Sequence, residues 1–90
     1  MSAHPRAAYR ELGPGQGGVV LQLESGGYHG LNSMGCFMWG VIADEPMIDE
    51  LIARVRNHVK DPPDHLDEDV LSFVETLESR GLVVVRAPGA

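Results

Sequence analysis

Val19-Val20-Leu21-Gln22-Leu23-Glu24-Ser25-Gly26-Gly27-Tyr28-His29-Gly30-Leu31-Asn32 is the stretch in which the hydrophobic period of this chain changes. Val19 to Leu23 is β-branched, apolar and of strand length, with Val19, Leu21 and Leu23 on one face at period two. Glu24-Ser25-Gly26-Gly27 reads as a turn, and Tyr28-His29-Gly30-Leu31 as the second arm of a hairpin. At Asn32 the period becomes helical. Asn32 or Ser33 can cap a helix by accepting a bond from a free backbone N–H. With Asn32 as the cap, Leu31 and Cys36 stand at the hydrophobic-staple positions. The helix then runs to about Ile42 through Met34, Phe37, Met38, Trp39 and Val41. A helix apolar nearly all round is buried from several sides, so this one is expected at the centre.

Working outward, Gly13-Pro14-Gly15-Gln16-Gly17-Gly18 is a run of breakers and hence a loop. Tyr9-Arg10-Glu11-Leu12 reads as a short strand and residues 1–8 as a loose arm. Downstream, Pro46 suits a helical first turn. Ile48, Leu51, Ile52, Val55 and Val59 then form an amphipathic stripe, ended by Asp61-Pro62-Pro63. A third helix, capped by Asp64 or Asp67, carries Leu66, Val70, Phe73, Val74 and Leu77 and stops at Gly81, a natural left-handed residue. Leu82 can fold back on Leu77, and Leu82 to Val85 is a short β-prone tail. The expected fold is α+β: a small three-stranded antiparallel sheet followed by a three-helix unit resembling a winged helix-turn-helix. It is read as a single domain over 1–90, with its core at about 19–85 and flexible ends at 1–8 and 87–90.

With 90 residues, 43% hydrophobic and 22% charged, the composition is globular. A chain this short buries roughly 60–65% of its unfolded surface, which leaves little room for a deep catalytic cleft. The net charge is -6, and residues 32–90 carry the whole excess, with eleven acids against five bases. From Asp67 to Arg80 there are five acids and one base. In a helix-turn-helix the last helix enters the DNA groove, and phosphate repels such a helix, so nucleic-acid binding is not expected. The longest apolar stretch, Cys36 to Ala43, is far too short for a membrane span, and Met1 to Arg6 lacks the apolar region of a signal peptide. One cysteine allows no internal disulfide, which suits the cytoplasm.

The chemical inventory is nearly empty. Cys36 lies within the most apolar helix and reads as a buried structural cysteine. His4, His29, His58 and His65 show no metal-ligand spacing, so neither metal nor cofactor is expected. The acids at Asp64, Asp67, Glu68, Asp69, Glu75 and Glu78 read as a solvated face with dipole compensation. The glycines at 13, 15, 17 and 18 lack the Lys-Ser/Thr and the following helix of a phosphate loop. What remains is the outer strand Tyr28–Leu31. It has no lysine, proline or inward charge to protect it, and Gly27 and Gly30 leave its backbone open to approach. Such an edge suits a peptide that adds as a strand.

Val20 to Gly35, with Trp39 four residues on, resembles the signature of the PqqD-like family: an apolar strand, a turn, an aromatic strand, Leu-Asn-x-x-Gly, and an apolar residue four later. Asp69-Val70-Leu71-x-Phe73-Val74-x-x-Leu77-x-x-x-Gly81-Leu82 is similar to the family's ending. The resemblance covers about residues 19–85. It implies a non-catalytic recognition element that binds the leader segment of a ribosomally made precursor peptide, as an added strand in a groove against the third helix. The Gly-Gly-Tyr-His-Gly-Leu-Asn run and the Met-Trp-Gly-Val-Ile helix look most like the stand-alone proteins of lasso peptide pathways. There the precursor passes to a separate leader peptidase, a cysteine protease, and then to a cyclase. The chain lacks the Tyr-Pro-Glu and Cys-Asp-Gly patterns expected of the pyrroloquinoline quinone branch, which stands as the alternative, with a winged-helix transcription regulator as the reading from a different class. The resemblance and the open edge together nominate Gly27, Tyr28, His29, Gly30 and Leu31 on the strand as peptide contacts. On the third helix they nominate Asp69, Val70, Phe73, Val74 and Leu77. Which shoulder of that helix faces the strand is open at this level.

Overall fold

The computed structural model describes residues 1–85. Its strands are β1 (Ser2–Ala3), β2 (Ala7–Glu11), β3 (Gly18–Gln22), β4 (Tyr28–Leu31) and β5 (Val83–Val84), and its helices α1 (Ser33–Ile42), α2 (Ile48–His58) and α3 (Leu66–Ser79). An antiparallel sheet in the order β2-β3-β4 precedes the three helices, and β1 pairs with β5 as a separate two-stranded ribbon. The α+β architecture expected from the sequence is the one observed.

The hairpin is built by its glycines. Gly26, at φ 78°, occupies the left-handed position. Its N–H donates to the Gln22 carbonyl (2.8 Å) while the Gln22 N–H donates to that of Gly27 (2.8 Å). These two bonds close a four-residue hairpin loop, Leu23 to Gly26, between Gln22 and Gly27. Gly17, at φ 74°, has no substitute, because a Cβ there would lie 2.1 Å from the Leu31 carbonyl oxygen.

The alternation in β3 resolves in one direction only once the structure is known. Val20 and Gln22 face the helices and are buried, whereas Val19 and Leu21 lie half-buried on the outer face and Leu23 is exposed. Gln22 tolerates burial because both ends of its amide are used. Its Nε2 donates to the Gly81 carbonyl (2.8 Å) and its Oε1 accepts from the Glu24 N–H (2.8 Å).

Asn32 caps α1, its Oδ1 accepting from the Gly35 N–H at 2.8 Å. Met38, Trp39, Val41 and Ile42 carry the helix into the core beside Leu51 and Val55 of α2 and Val70 and Leu77 of α3. At the end of α3 the chain turns at Gly81 (φ 71°), and the Leu82 N–H returns to the Leu77 carbonyl at 2.9 Å, burying Leu82.

Four expectations are corrected. The arm at 1–8 is engaged rather than loose: Ser2 and Ala3 pair with Val84 and Val83, and β2 already begins at Ala7. The first strand therefore lies earlier than Tyr9–Leu12. Neither Asp64 nor Asp67 caps α3; His65 holds that position, and its side chain bonds no backbone N–H of the first turn. Cys36 is half-buried rather than buried. The tail expected to fray, 87–90, lies outside the described residues.

Candidate functional site

β4 is a sheet edge. It pairs with β3 through Gly18↔Leu31, Val19↔Gly30, Val20↔His29 and Leu21↔Tyr28, and its other side pairs with no strand among the described residues. Hydrogen-bonded and non-hydrogen-bonded pairs alternate along an antiparallel ladder. The Gln22–Gly27 bond sets the phase. His29 and Leu31 therefore spend their backbone groups on β3, and the N–H and C=O groups of Tyr28 and Gly30 point outward. The side chains follow the opposite logic. His29 and Leu31 face the helices, whereas Tyr28 is 69% exposed and Gly30 is open. The strand thus offers an unprotected row of donors and acceptors with little side-chain obstruction.

The C-terminal end of α3 reaches the head of this edge, where Arg80 and Leu82 meet Gly27 and Tyr28. At about 100° per residue, Val70 and Leu77 lie at the centre of its apolar stripe and are 1% and 0% exposed, so they form the floor of the region. Asp69, Phe73 and Arg80 fall on one shoulder; Leu71, Val74, Glu75 and Glu78 fall on the other. Two concavities orient these shoulders. A pocket of about 150 Å³ is lined by Gln22, Gly27, Tyr28, Arg80 and Leu82, which sets the Arg80 shoulder beside the head of β4. An apolar cavity of about 390 Å³ is lined by Met1, Met47, Ile48, Leu71, Val74, Glu75, Glu78 and Val85, which sets the Val74 shoulder on the far side.

The nominated residues are thus brought together in part. Gly27 and Tyr28 share a pocket with Arg80 and Leu82, at the C-terminal end of α3. Phe73, half-buried, lies on the shoulder toward the strand, and Val74 opens onto the other cavity. Asp69 is exposed, and its Oδ2 lies 2.6 Å from Nδ1 of His65, one turn earlier. Arg80, Gln22 and Leu82 were not singled out by the sequence. Arg80 carried one usable signal, as the only base of the third helix, placed immediately before the glycine that ends it.

The electrostatics of the edge centre on His29. Its imidazole is held below the ordinary value of 6.5, first by burial and then by the positive charge of Arg80. Cys36 lies at the other end of the edge strand from Arg80. Its Sγ lies 4.0 Å from the Leu31 carbonyl, and its hydrogen bond with Tyr9 is the main reason the Tyr9 phenol is pushed up to about 12. Among the described residues no three His, Cys, Asp or Glu side chains converge where a metal ion could sit, and no helix is long and apolar enough to cross a membrane.

The protein family described as coenzyme PQQ synthesis protein D (PqqD) matches residues 17–83. The matched range opens just before β3 and closes within β5. No curated protein sequence matches the chain. Two solved structures share the fold. TbiB1 in complex with the TbiA(beta) leader peptide is similar at a TM-score of 0.81 and 18% identity, over 97% of this chain and 99% of that one. Lasso peptide synthetase B1 complexed with the leader peptide is similar at a TM-score of 0.74 and 17% identity, over 92% of this chain and 95% of that one. At these identities the likeness is one of fold.

Proposed function

The chain belongs to the PqqD family, and from that membership we propose that it is a leader-recognition protein, binding the leader of a ribosomally made precursor peptide as an added strand on β4. The observation that carries this reading is the free edge, where Tyr28 and Gly30 direct their backbone groups outward, with Arg80 at the head of the strand. Each new backbone bond contributes about 1 kcal/mol net, against about 2–5 kcal/mol for ordering a disordered peptide. So short a strand therefore needs side-chain anchors, which the Phe73–Arg80 shoulder of α3 is placed to supply.

Within that reading the protein has no chemistry of its own. It delivers the bound precursor to a separate cysteine protease that removes the leader, and a cyclase follows, in lasso peptide maturation in the cytoplasm. The two fold relatives, both described with leader peptides and one as a lasso peptide synthetase B1, support this branch. The description of the matching family favours a second reading, a peptide chaperone of pyrroloquinoline quinone synthesis whose partner is a radical enzyme.

The test is a titration with synthetic leader peptides, followed by amide exchange. Binding slows exchange at Tyr28 and Gly30 more than at His29 and Leu31, whose amides are already bonded to β3. Equal protection at all four, or protection confined to other elements, overturns strand addition. Acceleration of leader cleavage by a purified lasso leader peptidase separates the first branch from the second.

A further inference from the structure

We propose that the pocket between the head of β4 and the C-terminal end of α3 is a carboxylate-binding subsite, in which Arg80 pairs with an aspartate or glutamate of the bound peptide and fixes its register. The inference rests on the strand-addition reading and specifies what that reading leaves open, the chemistry of one anchor.

The pocket holds one group free to make a charged contact. Of its lining residues, Gly27, Tyr28 and Leu82 bring no charge. Gln22 is committed at both ends, to the Gly81 carbonyl and the Glu24 N–H. Arg80 forms no ion pair among the described residues, whereas Arg54 and Arg56 are held by Asp44 and Asp67. A helix C-terminus ordinarily repels an anion through its open carbonyls. Here three of those carbonyls are occupied. Arg80 N–H donates to Thr76 (3.2 Å), Gly81 N–H to Glu78 (3.0 Å) and Leu82 N–H to Leu77 (2.9 Å), and Gln22 covers Gly81. The guanidinium is left as the dominant charge at the mouth of the pocket, and its fork matches a carboxylate in two parallel bonds.

Register supplies the reason for such a contact. An added strand can slide by two residues and remake the same backbone bonds. Register is weakly specified along a strand that presents glycine and little side-chain relief, as Tyr28-His29-Gly30-Leu31 does. One charge pair at the end of the edge removes that degeneracy. It is also selective, because the rest of the third helix carries five acids and the chain as a whole is at -6, so a peptide carboxylate is repelled elsewhere on this surface.

The experiment selects from a display library of random dodecapeptides, using the wild-type protein, Arg80→Glu and Arg80→Lys in parallel. Thermal melts establish that each variant is folded. Wild-type selection is expected to enrich Asp or Glu at one fixed spacing from an apolar residue. Arg80→Lys keeps the acidic preference, and Arg80→Glu replaces it with Lys or Arg at the same spacing. In a selected peptide, Glu→Gln at that position weakens binding to the wild type about fivefold and leaves binding to a folded Arg80→Ala protein unchanged. An acidic preference that survives in Arg80→Glu, or peptides that protect β4 without any acidic position, overturns the subsite alone. Wild-type peptides that leave exchange at Tyr28 and Gly30 untouched overturn strand addition and the subsite with it.

Discussion

Gln22 and Gly81 are joined across 59 residues of sequence by a single bond, Nε2 to the carbonyl oxygen at 2.8 Å. That bond ties the turn end of the hairpin to the C-terminal turn of α3, the two elements that flank the edge strand. The Gln22 side chain is buried, so its amide depends on such partners for satisfaction.

Gln22→Leu therefore leaves the Gly81 carbonyl without its donor and the Glu24 N–H without its acceptor. The expected cost is about 1–3 kcal/mol of folding stability for the stranded groups, read as a lowered urea midpoint at unchanged slope. Leader affinity should fall as well, even in the folded population, because the spacing between β4 and α3 is no longer held. An unchanged midpoint would show that water replaces both contacts.

Gly30→Pro separates edge chemistry from fold. The Gly30 N–H points away from β3, and a Cβ at this position meets nothing within 4 Å. Proline is tolerated on such an edge because the lost donor serves no ladder bond. The variant should melt close to wild type and lose at least about tenfold in leader affinity, the lost bond and the blocked approach together exceeding 1.4 kcal/mol. Wild-type affinity in the folded variant would remove β4 from the binding site.

Phe73→Ala and Val74→Ala should behave differently, because the two residues sit on opposite shoulders of α3. Val74 is buried and opens toward the far cavity. Its truncation should cost about 1–3 kcal/mol of stability and leave leader affinity unchanged once corrected for the folded fraction. Phe73 is half-buried on the strand side, and its truncation should weaken binding as well as folding. Asp69→Ala on the same shoulder breaks only the exposed pair with His65 and should leave the fold intact, so any affinity change reports a direct contact. Fluorescence anisotropy of a labelled leader, read beside denaturation curves, distinguishes these outcomes.

The lowered imidazole of His29 makes stability fall with acid. Its folded-state value lies below the ordinary 6.5, so near that pH the unfolded chain binds more protons than the folded one, and stability rises with pH. The contribution is complete above 6.5 and is lost as pH drops toward and through the folded value. Between pH 7 and pH 5 the wild-type melting temperature should therefore decline more steeply than that of His29→Gln. Parallel declines in the two proteins would mean that burial and the Arg80 charge do not act on this ring.

Much of the fold is legible in the sequence because it is local. The Asn32 cap, the apolar α1, the stripe from Leu66 to Leu77 and the stop at Gly81 depend on residues a few positions apart, whose spacing states the period directly. Tyr28–Leu31 was readable for the same reason, as a short run bounded by glycines and a cap. Long-range pairing was not readable. Ser2 and Ala3 meet Val84 and Val83 across almost the whole chain, and two-residue strands carry no periodic signal of their own. The orientation of α3 was likewise beyond the sequence. An apolar stripe shows that one face is buried, but its two shoulders differ only in what packs beside them. Val74 faces one cavity and Arg80 the other because α2, β5 and the hairpin have already taken their places. Gln22 makes the same point at a single residue. A glutamine in a strand reads as solvent-facing, and it becomes a core residue only when a carbonyl from the far end of the chain arrives to accept its bond.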